Sequence, residues 1–403
     1  VRAEGTPVLF LNAGNALFKR ESVPADKVRP WRAVADLIVS SHNEMRCDAW
    51  NVGAYDLSLG LGYLLEKRAE ARFPFLSANL LTPEGKPVFE PFLLKDVGGV
   101  RVGIFGLIDA DLKRDKIPGG DRFRVADPLE TGMEVARRLR SQGADLVILL
   151  TDMIGRASRR VALGEAPIDL IVGSDQRNQI SLPIVVGNSY LTHLDRGGKS
   201  VGRLDLTLSP AGSSSAVEGA VTRIGDTRFS NAFVQLRLEI PDHPEVGPRV
   251  AKVLQDVSAV QEEVARQASK PDDPECGKEY VGISACRECH GDRYAHWKET
   301  RHAKAYKTLV DRRRQFDGDC VPCHALAFEC EGELIDWTAL KSFTNVQCEA
   351  CHGPGSLHVR SGGEERMFGS GEAAGACPNC HTPERSPDFE PRPHLRAVCA
   401  PGP

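Results

Sequence analysis

Runs of branched aliphatic residues mark the first 180 positions: PVLFLNAG (7–14), VRVGIFGLI (100–108), DLVILLTD (145–152) and IDLIVGS (168–174). Continuous apolar runs of this length predict strands buried on both faces. Amphipathic stretches lie between them, and Asp127–Gln142 predicts a helix. From about Pro183 to Ile240 the pattern changes to alternation, as in GRLDLTL (202–208) and VQLRLEI (234–240), which predicts strands of a second sheet. Val250, Val253, Leu254, Val257, Val260 and Val264 then recur at helical spacing. A polar, proline-bearing segment follows, Ser269-Lys-Pro-Asp-Asp-Pro-Glu275, and predicts a boundary. The expected fold class is a layered α/β half, residues 1–245, a helix and linker, 246–275, and a mostly α, loop-rich half, 276–403.

Composition sharpens the second half. The chain has 403 residues, 41% of them hydrophobic, and a net charge of −4. That is enough apolar chain for two or three domains and excludes general disorder. The weakly acidic balance gives no footprint for nucleic acid. No apolar run approaches the length of a membrane-spanning helix. Of the 12 cysteines, only Cys47 precedes position 276.

Eight of the others form four pairs, each followed at once by histidine. They are Cys286-Arg-Glu-Cys289-His290, Cys320-Val-Pro-Cys323-His324, Cys348-Glu-Ala-Cys351-His352 and Cys377-Pro-Asn-Cys380-His381. This is the covalent haem c signature: two thioethers anchor the porphyrin and the adjacent histidine is held beneath the iron. A lone C-x-x-C pair reads equally as zinc or a dithiol. Histidine is only 11 of 403 residues. Four in four by accident is about one in a million, which favours four haems over either alternative. Outside the motifs this half holds His296, His302, His358 and His394 as candidate distal ligands. Cys276, Cys330 and Cys399 remain, and a disulfide between two of them suits an oxidising compartment.

The segments YVGISACRECHGDRYAHWKETRHAKAY, NVQCEACHGPGSLH and CPNCHTPERSPDF resemble segments of the tetrahaem cytochromes c related to the electron acceptor of hydroxylamine oxidoreductase. The resemblance runs from about Tyr280 to Phe389. It implies that His302 serves the His352 haem and His358 the His290 haem, with His394 available for His381. For the His324 haem, which is five-coordinate in some members, His296 is the one candidate. Its position beside Trp297 on a predicted helix favours a surface histidine over a ligand.

The first half resembles the metallophosphoesterase domain of 5′-nucleotidases through LFLNAGN, DAWNVGAYDLSLG, FPFLSANL, VGIFGLID, VILLTDMI and LIVGSDQRN. The family's metal ligands are replaced. Asn12 and Asn15 stand for motif aspartates, Ala54 and Tyr55 for the Asn-His pair, Asp152 for a histidine, and Asp175 and Arg177 for the last two histidines. Two-metal hydrolysis needs a cage of histidines and carboxylates. These residues do not rebuild one, and Arg177 adds positive charge where cations belong. Asp56, Asp152 and Asp175 read as ordinary loop caps. His42, His193 and His243 form no spaced cluster.

The resulting expectation is a periplasmic or cell-surface tetrahaem electron carrier, with a metal-free phosphoesterase-like domain for docking or assembly. Its partners are redox proteins or other cytochromes, with an oligomer or larger respiratory assembly in view, and no nucleic acid or membrane-spanning segment. The family's opening D-x-H strand lies upstream of Val1, so an export signal is expected there. The alternatives are small-molecule reduction at an open haem, a structural subunit of a cytochrome assembly, and a residual nucleotidase.

Overall fold

The computed structural model describes residues 5–153, 155–164, 166–174, 180–193, 198, 200–208, 222–224, 227–236, 240–267, 279–326, 329–330, 333–334, 339–367, 374–382, 385–386, 389–391 and 398. The chain divides into two compact units, Val1–Arg249 and Val250–Pro403.

In the first unit, short parallel strands β1 (Leu11–Asn12), β2 (Ala49–Asn51) and β3 (Phe75–Leu76) form one sheet. A two-residue strand β4 (Leu80–Leu81) follows it. The main sheet has six strands: β5 (Phe92–Val97), β6 (Val100–Leu107), β8 (Leu146–Thr151), β9 (Leu170–Gly173), β10 (Ile180–Val186) and β11 (Ser189–His193). Strand β7 (Arg124–Val125) pairs with β4 outside it. In space the main sheet runs β10-β11-β9-β8-β6-β5, with β6, β8, β9 and β11 parallel and both edge strands antiparallel. A third sheet joins β12 (Ser200–Leu208), β13 (Thr222–Ile224) and β14 (Thr227–Gln235).

The apolar runs place the layers. Along β6 and β8, Val102, Ile104, Leu146, Ile148 and Leu150 face Ala49 and Leu76 of the first sheet. The alternate residues Phe105, Leu107, Val147 and Leu149 face the opposite way, onto Val135, Ala136, Leu139, Val161 and Ala162. Those belong to helices α3 (Pro128–Ser141) and α4 (Gly155–Leu163). The far face of the first sheet packs under α1 (Val28–Glu44) and α2 (Gly60–Glu70) around Trp50, Phe75 and Leu64. The result is an α/β/β/α sandwich, in which a period of two divides each buried run between two cores.

The expected α/β half is therefore observed, and the α3 helix starts after Asp127, whose carboxylate caps the Glu130 N–H at 2.9 Å. One detail differs from the sequence reading. The strands between Pro183 and His193 complete the main sheet instead of opening the second one. Of VQLRLEI, Val234 and Gln235 close β14, and residues 237–239 lie outside the described residues. The β12–β14 ladder of nine paired residues sets that register from β12.

The second unit is helical and loop-rich. Helix α5 (Val246–Gln267) spans the predicted valine periodicity. The predicted boundary segment after it lies outside the described residues. Beyond it come α6 (Ile283–Cys289), α7 (Gly291–Glu299), α8 (Ala305–Asp311) and several single turns. The one buried apolar cluster among its described residues is Leu309, Val321, Ala325 and Leu340.

Gly106 lets the two sheets of the sandwich approach. A methyl there would lie 2.5 Å from the Leu76 carbonyl oxygen and closer still to the Asn51 side chain. Gly103 instead faces Leu139, where a methyl would meet flexible side-chain carbons at 3.0 Å. Replacing Gly106 by Ala is expected to cost about 1–3 kcal/mol, and replacing Gly103 clearly less. Denaturant midpoints of the two variants check this, and equal midpoints would contradict it.

Candidate functional sites

The parallel strands of the first unit end on one side of the sandwich, where sites in open α/β sheets form. The loops there carry the residues that replace the phosphoesterase ligands. Asp56 is fully buried, and its carboxylate accepts the N–H groups of Asn15 (3.0 Å), Ala16 (2.9 Å), Leu17 (3.0 Å) and Gly53 (3.0 Å), and the Trp50 indole N–H at 3.2 Å. Asn15 Oδ1 accepts the Tyr55 N–H at 2.8 Å. Asp152 accepts the Ala54 N–H at 2.6 Å and the Asp109 N–H at 3.0 Å, tying the loops after β2, β6 and β8 together. Asn12 Nδ2 lies 3.1 Å from His42 Nε2, and His42 Nδ1 lies 2.9 Å from the Ile38 carbonyl. His42 is half-buried, stacked on Phe10 and tilted against Trp50 and Phe73, and burial lowers its pKa.

Amide hydrogen bonds thus join Asn15 to Tyr55 and Ala54 to Asp152, while Asn12 contacts His42 and accepts the Gly14 N–H at 2.9 Å. Asp175 and Arg177 lie outside the described residues. Among the described residues, no three His, Cys, Asp or Glu side chains converge as a metal cage. His193 is buried at the end of β11 and His243 is exposed.

In the second unit the motif helices bring histidines together in pairs. The rings of His290 and His358 have centroids 6.0 Å apart and planes inclined by 16°. Those of His302 and His381 are 6.3 Å apart and inclined by 44°. An ion bonded to two imidazoles at about 2 Å each holds their centroids about 6 Å apart, so both spacings fit an axially ligated iron. Three rings are also oriented through Nδ1: His324 to the Ala305 carbonyl (2.9 Å), His358 to the Glu365 carbonyl (2.7 Å) and His381 to the Ser386 hydroxyl (3.1 Å). An engaged Nδ1 leaves Nε2 as the ligating atom. Phe389 stacks on His381 at 3.9 Å and 10°. Burial, and then the His381 charge, lower the His302 pKa, which favours the neutral, ligating imidazole.

His358 lies beside His290, the motif histidine whose haem the resemblance assigns to it. The resemblance assigns His302 to the His352 haem, and the His302 ring lies 6.3 Å from that of His381. The chain leaves α7 at Thr300 and turns through His302–Lys304, which carries the ring there. His296 is half-buried on α7. His394, Cys276 and Cys399 lie outside the described residues, as does the side chain of Cys330, so the expected disulfide has no geometry.

Cysteines of different motifs also adjoin. The Cys286 thiol is shifted down and the Cys348 thiol up, chiefly by the hydrogen bond they share. Cys380 is pushed up to about 12 by burial and by Cys323 beside it. Gln347 and Glu349, which flank Cys348 and which the motif itself does not single out, are both buried. The signal available is a lone carboxylate inside an otherwise apolar spacing, Cys-Glu-Ala-Cys-His.

Residues 285–353 match the family of cytochrome c554 and c-prime. Over 91 residues the chain is 33% identical to cytochrome c-554 of Nitrosomonas europaea, covering 19% of this chain and 39% of that protein. Over 239 residues it is 25% identical to the 5′-nucleotidase of Vibrio cholerae, covering 51% of this chain and 42% of that protein. The sulfate thiohydrolase SoxB of Thermus thermophilus superposes with a TM-score of 0.53 at 20% identity, over 64% of this chain and 44% of that one. The chain spans less than half the length of both the cytochrome and the nucleotidase. The C-terminal half resembles cytochrome c554 proteins, and the N-terminal half resembles 5′-nucleotidases and has a phosphoesterase fold.

Desolvation raises the Asp152 pKa from 3.8 to about 7. A raised folded-state pKa means the folded chain holds the proton more tightly than the unfolded one. This contribution to stability is complete below the unfolded value and is lost as pH rises through about 7. Asp152→Asn, neutral throughout, is expected to flatten that loss. Melting temperatures of both proteins across this window check it, and the difference isolates Asp152 because Asp56 and Asp169 titrate in both. A wild-type/variant difference independent of pH would contradict the assignment.

Proposed function

We propose that this chain is an exported tetrahaem c-type electron carrier whose phosphoesterase-like half performs no two-metal hydrolysis and serves docking or assembly. The carrying observation is four Cys-x-x-Cys-His motifs together with two histidine pairs at the spacing of axially ligated iron. In this reading Cys286, Cys289, Cys320, Cys323, Cys348, Cys351, Cys377 and Cys380 form the thioethers. His290, His324, His352 and His381 are proximal ligands, His358 serves the His290 iron, and His302 serves the His381 iron. The domains are 1–245, 246–275 and 276–403.

Bound haem supplies reversible one-electron chemistry at the iron. The chain's own residues hold and orient it. The carbonyls of Ala305 and Glu365 and the hydroxyl of Ser386 fix the histidine rings, while Phe389 packs against His381. The sparse apolar cluster of the second unit supports porphyrins as the missing core. Adjoining cysteines of different motifs support neighbouring haems packed closely enough to exchange electrons.

Export is proposed because haem is attached to this motif outside the cytoplasmic membrane. Loss of hydrolysis is proposed because the ligand positions carry Asn12, Asn15, Ala54 and Tyr55, which cannot form the cage that two metals need. Redox proteins are the proposed partners, and an assembly of several copies is the proposed setting. A second reading, small-molecule reduction at the His324 haem, draws on the pairing. With His358 and His302 engaged elsewhere, His296 and His394 are what this half leaves for the His324 and His352 irons.

Mass spectrometry is expected to show four covalent haems, and absorption spectra sharp low-spin bands on reduction. His358→Ala is expected to retain all four haems and turn the His290 iron high-spin, so that it takes up added imidazole. A spectrum unchanged by this substitution would defeat the axial assignment. Bound zinc or manganese with phosphate release from nucleotides would defeat the metal-free reading. Cyanide or nitric oxide binding to the wild type would favour the reductase reading.

A further inference from the structure

Glu349 lies between the two cysteines of the third motif and is 3% exposed. Its carboxylate reaches out of that motif. It accepts the Val281 N–H at 3.0 Å and the Gly282 N–H at 2.8 Å, and also the N–H of Gly355 at 2.8 Å. On the other side of Cys348, the equally buried Gln347 accepts the Ile283 N–H at 2.7 Å through Oε1. Its Nε2 donates to the carbonyls of Ser342 and Thr344, each at 3.0 Å. Val281, Gly282 and Ile283 form the entry to α6, the helix that carries the first motif. The N–H groups at a helix start have no partner within the helix. Here the partners come from the third motif, and the Cys286 and Cys348 thiols meet beside them.

A clasp made for strength alone would be served by neutral acceptors, as Gln347 shows. A carboxylate at the same place adds a fixed negative charge between two haem-attachment sites and away from water. We propose that Glu349 is a positioning residue that holds the first motif against the third and keeps the reduction potentials of the His290 and His352 haems low. The inference rests on the haem reading above. Adding an electron beside a buried negative charge is opposed by Coulomb repulsion that water does not screen. Gln347 holds the same helix entry without charge and acts on position alone.

The experiment is a spectroelectrochemical titration of the haem-loaded full chain. Glu349→Gln keeps the volume and removes the charge. It is expected to raise the midpoint potentials of two haems while the other two stay in place. Gln347→Leu cuts the same clasp without changing charge. It is expected to lower the melting temperature with potentials nearer the wild type. Glu349→Asp keeps the charge and is expected to stay close to wild-type potentials; it is the comparison to use if the Gln variant does not load. Unmoved potentials in a fully loaded Glu349→Gln protein overturn the role assigned to Glu349. So does a rise in Gln347→Leu, or in Glu349→Asp, as large as that expected for the loss of charge. Mass spectrometry of the wild type keeps the two readings apart, since a chain without haem at the His290 and His352 motifs overturns the haem reading itself.

Discussion

A buried backbone N–H without a partner costs about as much as a lost hydrogen bond, and both halves of this chain meet that constraint with a buried carboxylate. In the first half Asp56 gathers four backbone N–H groups and an indole N–H from two loops that are distant in sequence. Burial raises its pKa while those hydrogen bonds lower it, so removing them would leave a desolvated charge. Asp56 thereby ties the loop after β1 to the loop after β2. Glu349 performs the same service in the second half, between two haem-attachment motifs.

The halves differ in what surrounds those carboxylates. The first has three apolar clusters, and its layers follow from strands that bury alternate residues on either side. The second has one small cluster among its described residues, so its order must come from elsewhere. Ring pairs held at 6.0 and 6.3 Å, with Nδ1 groups tied to carbonyls and a hydroxyl, are the features that specify it. Such spacings are too wide for direct ring contact and suit a metal between the rings. In the proposed reading the prosthetic groups supply the apolar volume that the chain lacks.

Much of this was legible in the chain. The runs at 100–108 and 145–152 became β6 and β8 because an uninterrupted aliphatic segment has no polar face to expose. Asp127 and Gln142 bounded α3 because a cap and a periodic face are local properties. The haem motifs were legible for the same reason, since thioether and proximal-ligand chemistry is set by adjacent residues. Partnership across space was not. The His302 ring lies 6.3 Å from that of His381, and nothing in a sequence spacing measures that. The Pro183–His193 strands joined the main sheet because β11 pairs with β9, a choice made by register between distant segments. Glu349 escaped notice because its partners lie 67 residues away at Gly282.

The reading of the first half as metal-free rests on more than absent ligands. Among the described residues, the groups at these positions are engaged with other partners. Asn12 Nδ2 is beside the His42 ring, the Ala54 N–H serves Asp152, and the Tyr55 N–H serves Asn15. Restoring one carboxylate at Asn12 would set its oxygen against the Nε2 of a histidine whose other nitrogen already bonds the Ile38 carbonyl, so the ring would have to gain a proton. Burial lowers the pKa of that ring in the present chain, so desolvation would oppose that protonation while the new carboxylate would favour it. Restoring a histidine at Asp152 would release the Ala54 and Asp109 amides from their acceptor. In the proposed metal-free reading these substitutions are coupled, and the amide hydrogen bonds hold the strand-end loops of the sandwich together.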